Sequence, residues 1–347
     1  MPLFGKKPSP PPAAPAPASV PIPKFRGDQL ALRFEAQLAQ GQWQEFHDFI
    51  DGLTDWDLRH FYLSELSKIS GSPRWLDEWV AARPASAVPL LFRGTHSKNW
   101  AWEARGSGRA KTVKEDTWPV FHARLVEADK YLFQAAALDP RDPNPWAVSL
   151  IVARGLSLGQ VELQRRFDEV RRRDPFNSGA CVSMIQSTAR KWGGSHERML
   201  GFARSISEQA PEGHSAHTVV ALAHIEMWMD LPKGEQKQTY FLAGPVKQEI
   251  WTAARRGVLF PGYIHDGTVL SWLDRNTFAF CFALMREYGT QLEQMRLIGP
   301  HVTESPWHYQ GKAGVFYERH RQFAFQQLYG TPAPAWETFA GQAQATT

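Results

Sequence analysis

The stretch AALDPRDPNPW, residues 136–146, ends one helical pattern at a proline and starts another within a few residues. Two later segments close the same way: RRRDPFNS at 171–178 and EQAPEGH at 208–214. Their prolines, Pro140, Pro175 and Pro211, are 35 and 36 residues apart. Counting back 12, 8 and 5 positions from each finds Ala128, Leu132 and Ala135, then Leu163, Phe167 and Val170, then Met199, Ala203 and Ile206. All are small or apolar, and spacings of four and three place each trio on one face of a helix that the proline terminates. A fixed period of this length is the mark of stacked helical units, each burying its face on the next.

Working outward, Leu76 and Trp79 before Pro84 repeat two of the three positions, with Ser72 as the expected N-cap and Pro73 at the first helical position. DQLALRFEAQLAQ reads as a helix stopped at Gly41, and Thr54 with Asp57 as a capping box opening DWDLRHFYLSELSKI. Strand-type alternation between turn residues is hardly visible. The expected fold is all-α, a superhelix of antiparallel helix pairs. Beyond residue 230 the register loosens; PWHY at 306–309 is expected in a turn, a last helix at 311–330, and a flexible tail over 331–347. Residues 1–26, with nine of the 25 prolines in the first 24, are expected to form an extended tail ahead of a 27–330 repeat domain.

The pattern Ala128-x3-Leu132-x2-Ala135-x3-Asp139-Pro140 resembles the second helix of the tetratricopeptide repeat (TPR). The clearest units span 72–229. Trp146 falls near that repeat's usual tryptophan, whereas its Gly-x-x-Tyr is absent, so the units are degenerate. WAWEARG, LDPRDPNPW, KWGGSHERMLGFAR and TESPWHY together are similar to a family of uncharacterised bacterial helical-repeat proteins, a domain of unknown function, over residues 30–325. That resemblance implies an architecture and no reaction.

Composition sets limits on function. The chain has 347 residues, with 39 cationic against 35 acidic ones, too balanced a surface to indicate specific nucleic-acid binding. No apolar run of 18 residues occurs, so no membrane span is expected. No secretory h-region follows Lys6 and Lys7, and Pro2 excludes a myristoylation glycine, which makes the cytoplasm the expected location. Cys181 and Cys281 lack metal-knuckle spacing and read as buried thiols. Arginine outnumbers lysine, and alanine and proline are abundant, a bias of GC-rich bacterial coding.

No nucleophile elbow, zinc-protease or dinucleotide motif is present. GSGRAKT at 106–112 lacks the Gly-Lys pair of a phosphate loop and reads as part of a basic surface loop over 103–119. His217 and His224 share a face two turns apart, roughly 10 Å, too far to hold one ion together. No metal, cofactor or catalytic residue is assigned. The expected function is a non-enzymatic scaffold that binds a protein segment or peptide in the superhelix groove; the partner and the oligomeric state stay open.

The candidate inner helices are 87–104, 144–155, 178–191 and 214–229. They present Lys98, Asn99, Arg105, Asn144, Arg154, Gln186, Arg190, His217, His224 and Glu226 as groove residues. His224 and Glu226 are also expected to act as a polar pair within the stack. The alternative is an enzyme or a small-molecule sensor using a pocket lined by His, Glu, Arg and Trp between helices. In RKWGGSHER, residues 190–198, Arg190 and Lys191 are expected to end an inner helix, Trp192 to plug the corner, the glycines to allow the reversal, and Ser195 to cap the next helix.

Overall fold

A computed structural model of the chain describes residues 19–106, 113–263 and 269–341. The first 18 residues of the proline-rich segment, most of GSGRAKT and the last six residues lie outside the described residues. The described chain is helical throughout, without strands. Its helices are α1 (Gln29–Leu38), α2 (Gln44–Gly52), α3 (Trp56–Leu66), α4 (Trp75–Ala82), α5 (Ala87–Arg105), α6 (Thr117–Leu138), α7 (Asn144–Gly155), α8 (Gly159–Arg171) and α9 (Ser178–Thr188). They continue with α10 (His196–Gln209), α11 (Thr218–Asp230), α12 (Glu235–Thr239), α13 (Gly244–Arg256), α14 (Val269–Met285), α15 (Tyr288–Ile298), α16 (Ala313–Tyr329) and α17 (Trp336–Gly341). No helix among the described residues is long and apolar enough to cross a membrane.

All nine residues of the three trios are buried, on α6, α8 and α10. These helices form an outer layer, because each packs between two members of an inner row made by α5, α7, α9 and α11. The inner row continues from α11 to α14, and α14 packs on α3. Helix α3 also touches α5, α7 and α9, so it lies across the inner face and joins the two ends of the row. The stack therefore curls back on itself. The chain ends reinforce the closure: Val20 is buried and its N–H donates to the Gly314 carbonyl at 3.3 Å, while Arg26 Nη1 donates to the Val269 carbonyl at 2.7 Å. Residues 19–26, expected in the tail, thus belong to the folded body.

Several local expectations need correction. Helix α3 is capped by Asp55, whose side chain accepts from Leu58 N at 2.9 Å, and Asp57 turns away from its own helix to another one. Helix α4 starts at Trp75 without a side-chain cap, two residues past Pro73. PWHY lies in a turn as expected, a 3-10 turn over Trp307–Gln310 with Trp307 buried. Beyond Pro332 the chain folds again as α17, where Phe339 is buried between Arg321, Phe325 and Trp336.

The corner 189–195 shows why its glycines are needed. Helix α9 ends at Thr188, and Arg190 and Lys191 sit in a 3-10 turn after it rather than in its last turn. Gly193 has φ +82°, and a Cβ on Gly194 would stand 1.8 Å from the Thr188 carbonyl oxygen. Ser195 then caps α10 by accepting from Arg198 N at 3.1 Å, and Trp192 packs edge-on against Trp102 at 5.7 Å. Gly194→Ala is expected to destabilise the protein by about 2 kcal/mol or more, since backbone has to move. Gly201→Ala, on α10 with open space at its Cβ, should be neutral or stabilising by up to about 1 kcal/mol. Urea unfolding of both variants checks this; equal losses would show that the corner tolerates a side chain.

Candidate functional site

The inner row and α3 line a half-open cavity of about 350 Å³. Its apolar wall is built by Ile151 of α7, Val182 of α9, Val219 and Leu222 of α11, and Leu270 and Leu273 of α14. Facing these, α3 contributes Asp57, His60, Ser64 and Glu65, and α5 contributes Lys98 and Asn99. Arg26, Phe61, Glu65, Lys68 and Leu273 also line a cleft of about 1070 Å³ between the N-terminal segment and residues 303–314, so the cleft adjoins the cavity. Volume and mixed lining fall within the range of small-molecule sites.

Helix α3 is pegged to the N-terminal ends of the inner helices, where unpaired backbone N–H groups need acceptors. Asp57 accepts from Ser178 N at 2.9 Å and from its hydroxyl at 2.7 Å, which caps α9 from 121 positions away. Arg59 is buried against Asp142 at 3.0 Å, and Asp142 accepts from Asn144 N at 2.7 Å at the start of α7. Asp274 of α14 lies at the start of α11, holding the Thr218 side chain and the Tyr263 hydroxyl, the latter at 2.9 Å. Burial pushes both Asp57 and Asp274 up to about 7; their hydrogen bonds act in the opposite sense.

His60 has a defined tautomer. Asn144 Nδ2 donates to the Trp56 carbonyl at 3.1 Å, which turns Asn144 Oδ1 toward His60 Nδ1 at 3.2 Å. Nδ1 must therefore carry the proton, leaving the Nε2 lone pair free as an acceptor. Burial, followed by the charge of Lys98, pushes His60 down to about 4, so the ring is neutral near pH 7. Gly179 makes room for it, because a Cβ there would lie 2.7 Å from His60 Nε2.

Lys98 is 93% buried by its 7% exposure, and its Nζ donates to Asn99 Oδ1 at 2.5 Å. Burial and then the charge of Lys68 push it down to about 7, against the pull of Glu65. Arg26 enters from a turn in which Phe25 and Arg26 have φ +49° and +58°, a left-handed conformation that costs about 1–3 kcal/mol per residue. The turn is held by the Val269 bond, by stacking of Arg26 on Phe61 at 5.3 Å, and by His301 Nδ1 bonding to the Arg26 carbonyl at 3.1 Å. Burial lowers the pKa of Arg26.

The ten residues expected along one groove are distributed over several places. Lys98 and Asn99 line the cavity, and Asn144 is buried behind His60 as its support. Arg105 and Arg154 lie against Trp102 and Trp192, and Arg154 Nη1 also donates to the Ser183 carbonyl at 3.2 Å. Burial pushes Arg154 down to about 10. Gln186 donates to Glu226 at 2.6 Å, Glu226 also pairs with Lys191 at 2.5 Å, and Arg190 pairs with Asp230 at 2.8 Å; these bonds tie the α9 end to α11. His217 is buried and saturated by the Ser207 hydroxyl at 2.8 Å and the Pro211 carbonyl at 2.9 Å. His224 bonds the Tyr240 hydroxyl at 2.8 Å and Glu249 at 3.3 Å, so it does not form the expected pair with Glu226.

Asp57, His60, Asp274 and Arg26 were not among the expected residues. One signal was available for two of them: WDLRHFYLSEL has charged residues on every side, so a helix buried by that segment must supply partners for them. Among the described residues, no group of three or more His, Cys, Asp or Glu is placed to hold a metal ion.

With this geometry in place, residues 28–162 match the family described as "Domain of unknown function (DUF4034)". The match is narrower than the 30–325 expected from sequence. It includes α3, α5 and α7 with Asp57, His60, Lys98 and Asn144, and leaves out the walls from α9, α11 and α14. Searches of the curated proteins and of the solved structures find no match.

The carboxyl of Asp57 gives a pH test. Its folded pKa of about 7 lies above the ordinary 3.8, so its contribution to stability is full below about pH 4 and lost as pH rises through 7. Asp57→Asn keeps an acceptor for Ser178 N and a donor for its hydroxyl but cannot ionise. Relative to wild type, its Tm is expected to rise by roughly 2 °C or more between pH 5 and pH 8. A constant offset at both pH values would show that Asp57 does not titrate in this window.

Proposed function

We propose that this chain is a small-molecule binding protein whose ligand sits in the central cavity, within a frame of degenerate TPR-like helix pairs. The observation that carries the reading is the convergence of a neutral, oriented histidine and a buried lysine on an apolar-walled space that adjoins a larger cleft. Ionisable groups moved far from their ordinary values and grouped in one concave site are a recurring feature of ligand sites. The ligand combines an apolar body, facing Ile151, Val182 and Leu222, with polar groups directed at α3 and α5.

The peptide-scaffold reading needs the inner face of the row to be open along its length. Helix α3 already lies there, in contact with α5, α7 and α9, and leaves a compact space in place of a long groove. This favours the small-molecule alternative. Catalysis has less support, because Asp57 is bonded to Ser178, Asp274 to Tyr263 and Glu65 to Lys68, and among the described residues no hydroxyl or thiol is bonded to His60 Nε2.

A thermal-shift screen of amphiphilic acids, amines and neutral compounds tests the reading. A ligand that binds only the folded chain stabilises it by about 2.7 kcal/mol at one hundred times its Kd, which raises Tm. Val182→Phe fills the cavity from a position that is 37% exposed, so it should fold as wild type does and lose the shift. A screen without hits, or hits that shift Val182→Phe equally, would overturn the proposal.

A further inference from the structure

Of the charged groups around the cavity, Lys98 is the one without a structural counterpart. Asp57 caps α9, Asp274 holds the Thr218 side chain and the Tyr263 hydroxyl, Arg26 latches onto Val269, and Glu65 pairs with Lys68 at 2.6 Å. Lys98 has no ion-pair partner among the described residues. Asn99 takes one of the three protons of its ammonium group, and Asn99 is itself oriented by donating to the Ser67 hydroxyl at 2.9 Å and the Ser64 carbonyl at 3.3 Å. An ammonium buried to this extent is costly unless it is paired or hydrogen-bonded. With one hydrogen bond and no ion pair among the described residues, the ammonium group has donors left for a partner in the cavity.

Resting on the cavity reading above, we propose that the α5 end of the cavity is an anion subsite, in which Lys98 pairs with a carboxylate or phosphate group on the ligand. Lys68 lines both the cavity and the adjoining cleft, but Glu65 beside it offsets its charge, so the hold on the anion falls to Lys98. The apolar wall of Ile151, Val182 and Leu222 receives the rest of the molecule. The depressed pKa of Lys98 fits this arrangement: an anion restores the charge that burial disfavours, so binding and proton uptake by Lys98 are coupled. His60 stays an acceptor and does not add to the anion's hold.

The test uses the full chain at pH 6, where Lys98 is mostly charged, and three probes of one shape: benzoate, phenyl phosphate and benzyl alcohol. Calorimetric titration is expected to show at least one anion binding about tenfold or more tightly than the alcohol. The stronger of the two anions identifies carboxylate or phosphate as the preferred group. In Lys98→Met, which keeps the length of the aliphatic stem, the preference should fall to within about twofold. Should that variant fail to fold, NMR titration of the Lys98 side chain in wild type decides: the anion raises its titration midpoint and benzyl alcohol does not. Equal binding of all three probes, a preference that survives in Lys98→Met, or an unmoved midpoint would overturn the anion subsite. Binding of benzyl alcohol alone removes the subsite and leaves the cavity reading standing; no binding by any probe counts against both.

Discussion

The ion pair between Arg59 and Asp142 is the constraint on which the cavity depends. Their side chains are 4% and 0% exposed and 3.0 Å apart. Burying two charges gives little net stability compared with apolar packing, but leaving either one alone costs about 3–5 kcal/mol. Such a pair is therefore strongly selective for one docking of α3 and weakly stabilising in itself. Asp142 belongs to the Asp-Pro corner between α6 and α7, and Arg59 also donates to the Ile50 carbonyl at the end of α2. One interaction thus links the helices ahead of the repeat to its first clear corner, and by doing so it places Asp57 beside α9 and His60 beside Asn144.

Asp57, Arg59, His60 and Tyr62 of α3 each bond a residue on another element. A stack of helix pairs alone would expose its concave face, with N–H groups at the start of α7, α9 and α11 turned toward water. Near those ends, Asp142 of the preceding corner accepts from Asn144 N at α7, Asp57 of α3 accepts from Ser178 N at α9, and Asp274 of α14 holds the Thr218 side chain at α11. Asp57 and Asp274 thus have structural partners inside the cavity. Carboxyls bonded to helix starts are accounted for, and the lysine opposite them is not.

The outer helices were legible in the sequence because their signal is local. Ala128, Leu132 and Ala135 are set by helical periodicity and by Pro140, all within 13 residues, and the same holds for the next two units. The corner at 189–195 was legible for the same reason, since Gly193, Gly194 and Ser195 answer to backbone geometry within a few residues. The site was not. Asp57 read as a capping residue for its own helix, where Asp55 already serves, and nothing near it announces Ser178. Lys98 and Asn99 line the cavity, whereas Gln186 bonds Glu226 and Arg190, in the turn after α9, pairs with Asp230. Periodicity identifies which helices face inward. It does not say which of their side chains are used up between helices, because that depends on the curl of the row.

The extent of the family match bears on how the cavity is divided. Residues 28–162 hold the α3 and α5 side of the cavity, with His60, Lys98 and Asn144, but only Ile151 of the apolar wall. The remaining wall comes from α9, α11 and α14, outside the match, and Arg26 precedes it. A segment ending at 162 would leave Asp57 without Ser178 and the inner face of α3 without α14. The polar side is thus encoded in the matched segment, and the enclosure that gives a buried lysine its electrostatic weight is encoded elsewhere in the chain. Polar anchoring and apolar shape can accordingly vary independently: changes in α11 or α14 would reshape the space around a ligand without touching Lys98 or the bond that sets the His60 tautomer.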